Sequence, residues 1–173
     1  MLLDALEILA AHIEHIVLVG AHAIYLHTED VVTGVALFTK DADLALVPPL
    51  DETPAIDQMM RAAGFTQGRQ PGIWEHAGGQ VDLLVPQTFA DAAGRRAARL
   101  PGHGRRTARK VAGIEGASVD NEVRSVSALE PHDLRSEPDR SLGESCSVGF
   151  RVWAPITYTI TCTGRCPTDC ATS

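Results

Sequence analysis

The chain has 173 residues, of which 45% are hydrophobic and 21% are charged, and its formal net charge is −7 at pH 7. This composition lies near the globular average, so it excludes wholesale disorder and collagen-like structure, and the length suffices for a buried core without disulfide or metal staples. No apolar run approaches the roughly 20 residues that span a bilayer, and the N-terminus lacks the positive flank of a secretory signal; we therefore expect a cytoplasmic protein with no membrane contact.

The first 50 residues predict alternating helices and strands. Apolar residues at helical spacing predict a helix over Leu2–Ile13, and the apolar run Ile16–Val19 predicts a buried strand. Gly20 then marks a turn into a second predicted helix, Ala21–His27. The next predicted strand, Phe38–Val47, alternates apolar and polar residues, as a strand with two different faces does.

The following segment predicts one helix and a hairpin. The helix covers Thr53–Ala63 and is closed by Gly64, a residue that favours the left-handed conformation of a helix C-cap. The hairpin joins Ile73–His76 to Gln80–Val85 across the turn Ala77–Gly79. This order of elements predicts an α/β (α+β) domain with a small mixed sheet flanked by helices.

The sequence beyond residue 90 gives a weaker pattern. A short direct repeat relates residues 94–99 to 104–109, and residues 111–129 predict two short strands. Further on there is no helical period, and Ser and Thr are frequent. We therefore expect a domain over 1–130 and an irregular tail over 131–173, for which disorder and a shifted reading frame are the two alternatives.

All four cysteines lie in this tail, at Cys146, Cys162, Cys166 and Cys170. The last three are spaced four residues apart, unlike the paired C-x2-C ligands of structural zinc sites. The spacing therefore does not favour a zinc site, and it leaves open whether Cys162, Cys166 and Cys170 bind a metal at all.

Charge is distributed unevenly along the chain. Residues 1–90 contain three basic and twelve acidic side chains. Seven basic residues then crowd into one short segment, namely Arg95, Arg96, Arg99, Arg105, Arg106, Arg109 and Lys110. Such a segment can contact an RNA backbone in a salt-sensitive way; a solvated basic loop is the alternative. No aromatic residue interleaves it, so a base-stacking platform is not expected.

Two aspartates share one face of the predicted strand Phe38–Val47. Residues i and i+2 of a strand project to the same side, so the Asp41 and Asp43 carboxylates lie together. Adjacent like charges are costly to bury unless a cation neutralises them, and Mg²⁺ binds carboxylates together with substrate phosphates. An edge strand with solvated charges is the alternative.

A third carboxylate, Asp82, lies in the otherwise apolar strand segment Val81–Val85, where an unpartnered charge is costly. If this strand pairs with the strand of Asp41 and Asp43, the three carboxylates meet on one patch. A patch of this kind can hold two metal ions and support displacement at phosphorus.

The strand-to-helix turn at Gly20 and Ala21 is the other candidate element. Glycine lets the backbone approach a phosphate, and free N–H groups at a helix start favour an anion. A plain turn is the alternative. The order along the chain, a phosphate cradle, a carboxylate pair and then a single carboxylate, is what a nucleotide-handling metal site needs.

The segments Leu18–Ala23, Thr39–Leu44 and Val81–Leu84 resemble the motifs of the polymerase-beta-type nucleotidyltransferase superfamily. Within it, the chain is most similar to small bacterial nucleotidyltransferase-like proteins, including the AbiEii-type toxin group. The similarity extends over roughly residues 5–130, and its specific motifs are confined to these three segments.

The resemblance implies a nucleoside triphosphate, with ATP the expected one, bound together with two Mg²⁺ ions. It implies that Asp41, Asp43 and Asp82 are the catalytic metal ligands and that Asp82 helps to activate an acceptor hydroxyl. The acceptor hydroxyl would belong to RNA, protein or a small molecule, and pyrophosphate would leave. The nucleotide-binding residues implied are Gly20, Ala21, His22, Thr39 and Lys40.

The chain departs from the family pattern in two respects. Ala21 and His22 stand where the family has a second small residue and a serine, so a phosphate contact by a hydroxyl is missing. No helical pattern follows residue 130 to complete a nucleotide pocket. Two alternatives therefore stay open: a non-catalytic module on the same fold, with an antitoxin-type protein partner, and an RNA binder that does not use its aspartates.

Overall fold

The structure is a computed structural model that describes residues 2–28, 40–89, 96–119, 121–127 and 147–153. Three α-helices occur in this part of the chain: α1 (Leu2–Ile8), α2 (Gly20–His27) and α3 (Ile56–Ala62). Three 3₁₀ turns accompany them, at Ala10–His15, Gln87–Phe89 and Glu115–Ser118. None of the helices in the described part is long and apolar enough to cross a membrane.

Within the described residues, eight strands form one mixed sheet, which confirms the predicted mixed α/β class. This sheet is larger than the small one that was expected. The strands are β1 (Ile16–Val19), β2 (Asp41–Leu46), β3 (Thr66–Gln67), β4 (Ile73–His76), β5 (Gly79–Pro86), β6 (Arg109–Val111), β7 (Asn121–Ser127) and β8 (Ser147–Trp153). Their spatial order is β3-β4-β5-β2-β1-β8-β7, and β6 pairs with β5. The pairs β2–β5, β1–β8 and β5–β6 are parallel, whereas the other neighbouring strands are antiparallel.

The two faces of the sheet are covered differently. All three α-helices pack on one face, where they form the main core with alternate strand residues such as Leu18, Leu44 and Leu83. The opposite face carries a smaller apolar cluster made of Val17, Val19, Ala45, Leu84 and Ala117. Because side chains alternate along a strand, the aspartates of β2 and β5 lie on this second face, opposite the main core.

Two predicted helices are shorter than expected. The first is α-helical only to Ile8 and continues as the 3₁₀ turn Ala10–His15, in which His12 is fully buried and its Nε2 lies 2.7 Å from the Pro54 carbonyl oxygen. Local sequence patterns do not predict this contact between residues far apart in the chain. The helix predicted from Thr53 begins at Ile56, because a residue before proline disfavours helical backbone.

The predicted irregular tail is wrong for residues 147–153. These residues form β8, which pairs in parallel with β1 and antiparallel with β7. Val152 is fully buried in the main core. The remainder of the range 131–173, including the four cysteines, lies outside the described residues. β8 therefore belongs to the sheet of the domain that was expected to end at residue 130.

The basic segment packs on the core through its small residues in its described part, 96–110, while its arginines Arg96, Arg99, Arg105 and Arg106 are exposed. Ala98 and Ala108 are buried, and the Ala98 N–H donates to the Ala108 carbonyl at 3.0 Å. The indole N–H of Trp74 donates to the Thr107 carbonyl at 3.0 Å. Arg95 lies outside the described residues. The small residues of the repeat therefore attach this segment to the core.

Candidate functional site

The parallel pairing of β2 with β5 brings the predicted aspartates together. Asp43 and Asp82 are aligned partners in this pairing, and Asp41 is aligned with Gln80. The strand pairing on which the sequence argument depended is thus present. Asp41 is exposed, Asp43 is half-buried, and Asp82 is 4% exposed, so the three carboxylates run from the solvent inward across one sheet face.

Gly20 packs directly on this carboxylate group. β1 is antiparallel to β2 with Val19 aligned with Asp43, and Gly20 follows with a φ of +71°, in the left-handed region. A Cβ atom at Gly20 would overlap Asp43 Oδ2 and lie 3.0 Å from its Cγ. Glycine is therefore required at this position for two reasons, namely its backbone conformation and its close approach to Asp43.

Asp82 is held by two side chains. Gln80 Nε2 donates to Asp82 Oδ1 at 2.7 Å, and Arg109 Nη2 donates to Asp82 Oδ2 at 2.6 Å. The side chain of Arg109 is about one-third exposed, whereas the Asp82 side chain is 6% exposed. Both carboxylate oxygens of Asp82 thus have a donor, which is what a nearly buried charge needs.

Burial raises the pKa of both inner aspartates. Desolvation is the main cause of the raised pKa of Asp43, and the negative charge of Asp82 adds to it, while Arg109 acts in the opposite direction. Desolvation also raises the pKa of Asp82, against the lowering effects of the Gln80 hydrogen bond and of Arg109. Two neighbouring carboxylates that resist ionisation form a site that a cation would stabilise.

The predicted nucleotide-binding residues are only partly assembled around the aspartates. Ala21 and His22 follow Gly20 on α2, and burial lowers the pKa of His22, which favours its neutral form. His22 Nδ1 is buried without a hydrogen-bond partner. Lys40 is exposed, and its carbonyl accepts a hydrogen bond from the Gln80 N–H at 3.2 Å. Thr39 lies outside the described residues.

An open cavity of about 390 Å³ lies beside the outermost aspartate. Lys40 and Asp41 line it together with the turn of the β4–β5 hairpin, including His76 and Gly78. Its volume is within the usual range for small-molecule pockets, about 300–1,000 Å³. The exposed end of the aspartate row therefore faces a space of ligand size.

The donor set fits Mg²⁺ shared with phosphates better than a metal bound by protein alone. Within the described ranges, no group of three or more His, Cys, Asp or Glu side chains is arranged to hold a metal ion. Mg²⁺ is commonly bound through one or two carboxylates plus substrate phosphates. Asp41 and Asp43 meet that requirement, whereas Asp82 would have to exchange Arg109 or Gln80 for the ion.

Sequence reasoning missed two members of the site, Gln80 and Arg109. Gln80 stands two positions before Asp82 on the same strand, so its place on the same face could have been read from the alternation. Arg109 belongs to the predicted basic segment, but its contact with Asp82 depends on the pairing of β6 with β5. Local sequence contains no signal for that pairing.

No protein-family model matches the chain, and no curated protein or solved structure matches it either. We therefore infer a function from the residues and geometry of the site.

Proposed function

We propose that this chain is a Mg²⁺-dependent nucleotidyltransferase, which moves a nucleoside monophosphate from a nucleoside triphosphate to an acceptor hydroxyl. The observation that supports this most is the alignment of Asp43 with Asp82 on adjacent parallel strands, with Gly20 packed on the Asp43 carboxylate. Such an arrangement concentrates negative charge beside a backbone turn that can approach a phosphate.

The aspartates and the glycine turn have different roles in this proposal. Asp41 and Asp43 would hold Mg²⁺, which would neutralise charge on the phosphates and on the carboxylates. The N–H groups at the start of α2, from Gly20 and Ala21, face the phosphates. His22 is neutral, as its lowered pKa favours, and Lys40 flanks the nucleotide. ATP is the expected nucleotide.

The reaction is an in-line substitution at the α-phosphorus. The acceptor oxygen forms a bond to this phosphorus while the bond to the bridging oxygen of the β-phosphate breaks, and pyrophosphate leaves with that oxygen. Asp82 accepts the hydroxyl proton, for which a raised pKa is suited because a general base works best with a pKa near the operating pH. Arg109 must release Asp82 Oδ2 for this step.

The test is pyrophosphate release from each of the four nucleoside triphosphates with Mg²⁺, with bulk tRNA and cell lysate as acceptor sources. We expect release by the wild type and its loss in Asp41→Ala/Asp43→Ala. Asp51→Ala is the matched control, because Asp51 is an exposed aspartate outside the site. Release that persists in the double variant, or that falls equally in the control, would contradict the proposal.

One observation favours a second candidate, a non-catalytic binding module on the same fold. Both oxygens of Asp82 are already occupied by Gln80 and Arg109, and a histidine stands in place of the family serine at position 22. This candidate predicts nucleotide binding, or binding of an antitoxin-type protein partner, without pyrophosphate release. Mg²⁺-dependent ATP binding in the absence of turnover would favour it.

A further inference from the structure

Backbone pairing gathers three cationic residues at the β5–β6 edge of the sheet. Ala97 forms a β-bridge with Arg109, and the Lys110 N–H donates to the Arg96 carbonyl at 2.7 Å. Residues from the two copies of the short repeat therefore lie side by side. The sequence separates Arg96 from Lys110, whereas the fold places both at one cavity.

That cavity has a volume of about 170 Å³ and is lined by Gln70, Pro71, Arg96, Arg109 and Lys110. Three of these five lining residues are cationic. The volume is below the range of about 300–1,000 Å³ that holds whole small molecules, so the cavity suits a single anionic group. Arginine forks match the oxygens of a phosphate particularly well.

Arg109, which lines this cavity, and the glycine turn lie on opposite sides of Asp82 in the sheet. The strand order β6-β5-β2-β1 places Arg109 on one side of Asp82, and Asp43 followed by Gly20 on the other. In the proposed function, Gly20 and Asp43 serve the nucleotide. A group bound at Arg109 would therefore approach Asp82 from the side opposite the nucleotide.

We propose that this cavity binds a phosphate group of the acceptor, so that the acceptor is itself a phosphate-bearing molecule. This inference rests on the proposed function, which it deepens by naming the acceptor class. An anion at the cavity competes with Asp82 for the Arg109 guanidinium. Acceptor binding thereby frees Asp82 Oδ2, the atom that takes the hydroxyl proton. Arg109 acts as a positioning residue that keeps Asp82 neutralised until the acceptor arrives.

The first experiment measures binding of three probes to the full chain without nucleotide: inorganic phosphate, a 5′-phosphorylated RNA hexamer and the same hexamer with a 5′-hydroxyl. We expect Arg96→Gln to weaken binding about tenfold or more, since it removes a charge-assisted contact. Arg105→Gln is the matched control, because Arg105 is an exposed arginine of the same segment that does not line the cavity.

The probes also separate the sources of the phosphate. A terminal phosphate is indicated if the 5′-phosphorylated hexamer binds more tightly than the 5′-hydroxyl hexamer. A backbone phosphate is indicated if both hexamers bind equally and more tightly than inorganic phosphate. Either result supports the proposal when Arg96→Gln weakens the binding of that probe. If no probe binds, or if Arg105→Gln weakens binding as much as Arg96→Gln, the proposal is wrong.

The second experiment tests the competition at Arg109. Asp82→Asn removes the negative charge that holds the guanidinium, so we expect it to bind inorganic phosphate several-fold more tightly than the wild type. A merely structural ion pair predicts unchanged or weaker binding, and that result would overturn the proposed coupling. Thermal unfolding of each variant verifies that it is folded.

Failure of this inference is distinguishable from failure of the proposed function. If Arg96→Gln weakens phosphate binding but the wild type releases no pyrophosphate, the proposed nucleotidyl transfer is contradicted while the anion site stands. If pyrophosphate is released and Arg96→Gln leaves both phosphate binding and the acceptor KM unchanged, the acceptor site alone is contradicted.

Discussion

Replacing Gly20 by alanine tests the contact between the glycine turn and the Asp43 carboxylate. The φ of Gly20 is +71°, a left-handed conformation that costs a residue with a Cβ about 1–2 kcal/mol. The new methyl group would also overlap Asp43 Oδ2 and lie 3.1 Å from Asp43 Cβ, and crowding of this kind costs about 1–3 kcal/mol more. We therefore expect Gly20→Ala to lower the free energy of unfolding by about 2–5 kcal/mol.

Gly78 supplies the matched control for this substitution. Its φ is +80°, but a Cβ there would have no atom within 4 Å. Gly78→Ala should therefore incur only the conformational cost of about 1–2 kcal/mol. The difference between the two variants isolates the contact with Asp43.

Urea-induced unfolding, followed by circular dichroism, measures these differences. In an Asp43→Ala background the additional cost of Gly20→Ala should shrink, because the overlapping carboxylate is absent; the remaining crowding comes from the Cβ of residue 43. The reasoning is refuted if Gly20→Ala and Gly78→Ala are equally destabilising, or if the double-mutant cycle shows no coupling between positions 20 and 43.

Three further predictions concern stability. Burial raises the pKa of Asp43, so its ionised form destabilises the fold at a pH above the ordinary aspartate pKa. Asp43→Asn should therefore unfold at a higher urea concentration than the wild type at pH 7, yet lose nucleotidyl transfer. Burial lowers the pKa of His103 below 6.5, and its Nδ1 accepts a hydrogen bond from the Ile56 N–H. The stability that the neutral ring contributes is therefore present above pH 6.5 and lost as pH falls through the lowered pKa. Unfolding free energies measured from pH 7 to pH 5 should decline less in His103→Asn than in the wild type. Val152→Ala should lower the free energy of unfolding by about 1–3 kcal/mol. Val123→Ala, at a position that is 69% exposed, should leave it within about 0.5 kcal/mol of the wild type. Equal effects of the two variants in urea unfolding would contradict the packing of β8 into the core.

Much of the secondary structure was predictable because its signals are local. The apolar run Ile16–Val19 is a strand with the predicted bounds. The predicted β4–β5 hairpin is present, although its turn is Ala77 and Gly78 alone because Gly79 already pairs with His76. The alternation along β2 correctly separated its core residues from Asp41 and Asp43. β8 was missed although Val148, Phe150 and Val152 alternate with Ser147, Gly149 and Arg151, which is the two-residue period of a strand. Only its pairing with β1 and β7 depends on segments far away in the chain.

The candidate site divides in the same way. The sequence by itself determined which aspartates share a strand face and where a glycine follows a strand, since both depend on the two-residue period of strands and on local turn chemistry. Only the tertiary structure decided that Asp82 aligns with Asp43, that Gly20 packs on Asp43, and that Arg109 neutralises Asp82. Those contacts depend on strand register and on pairing between segments far apart in the chain, where burial and charge, rather than local pattern, select the partner.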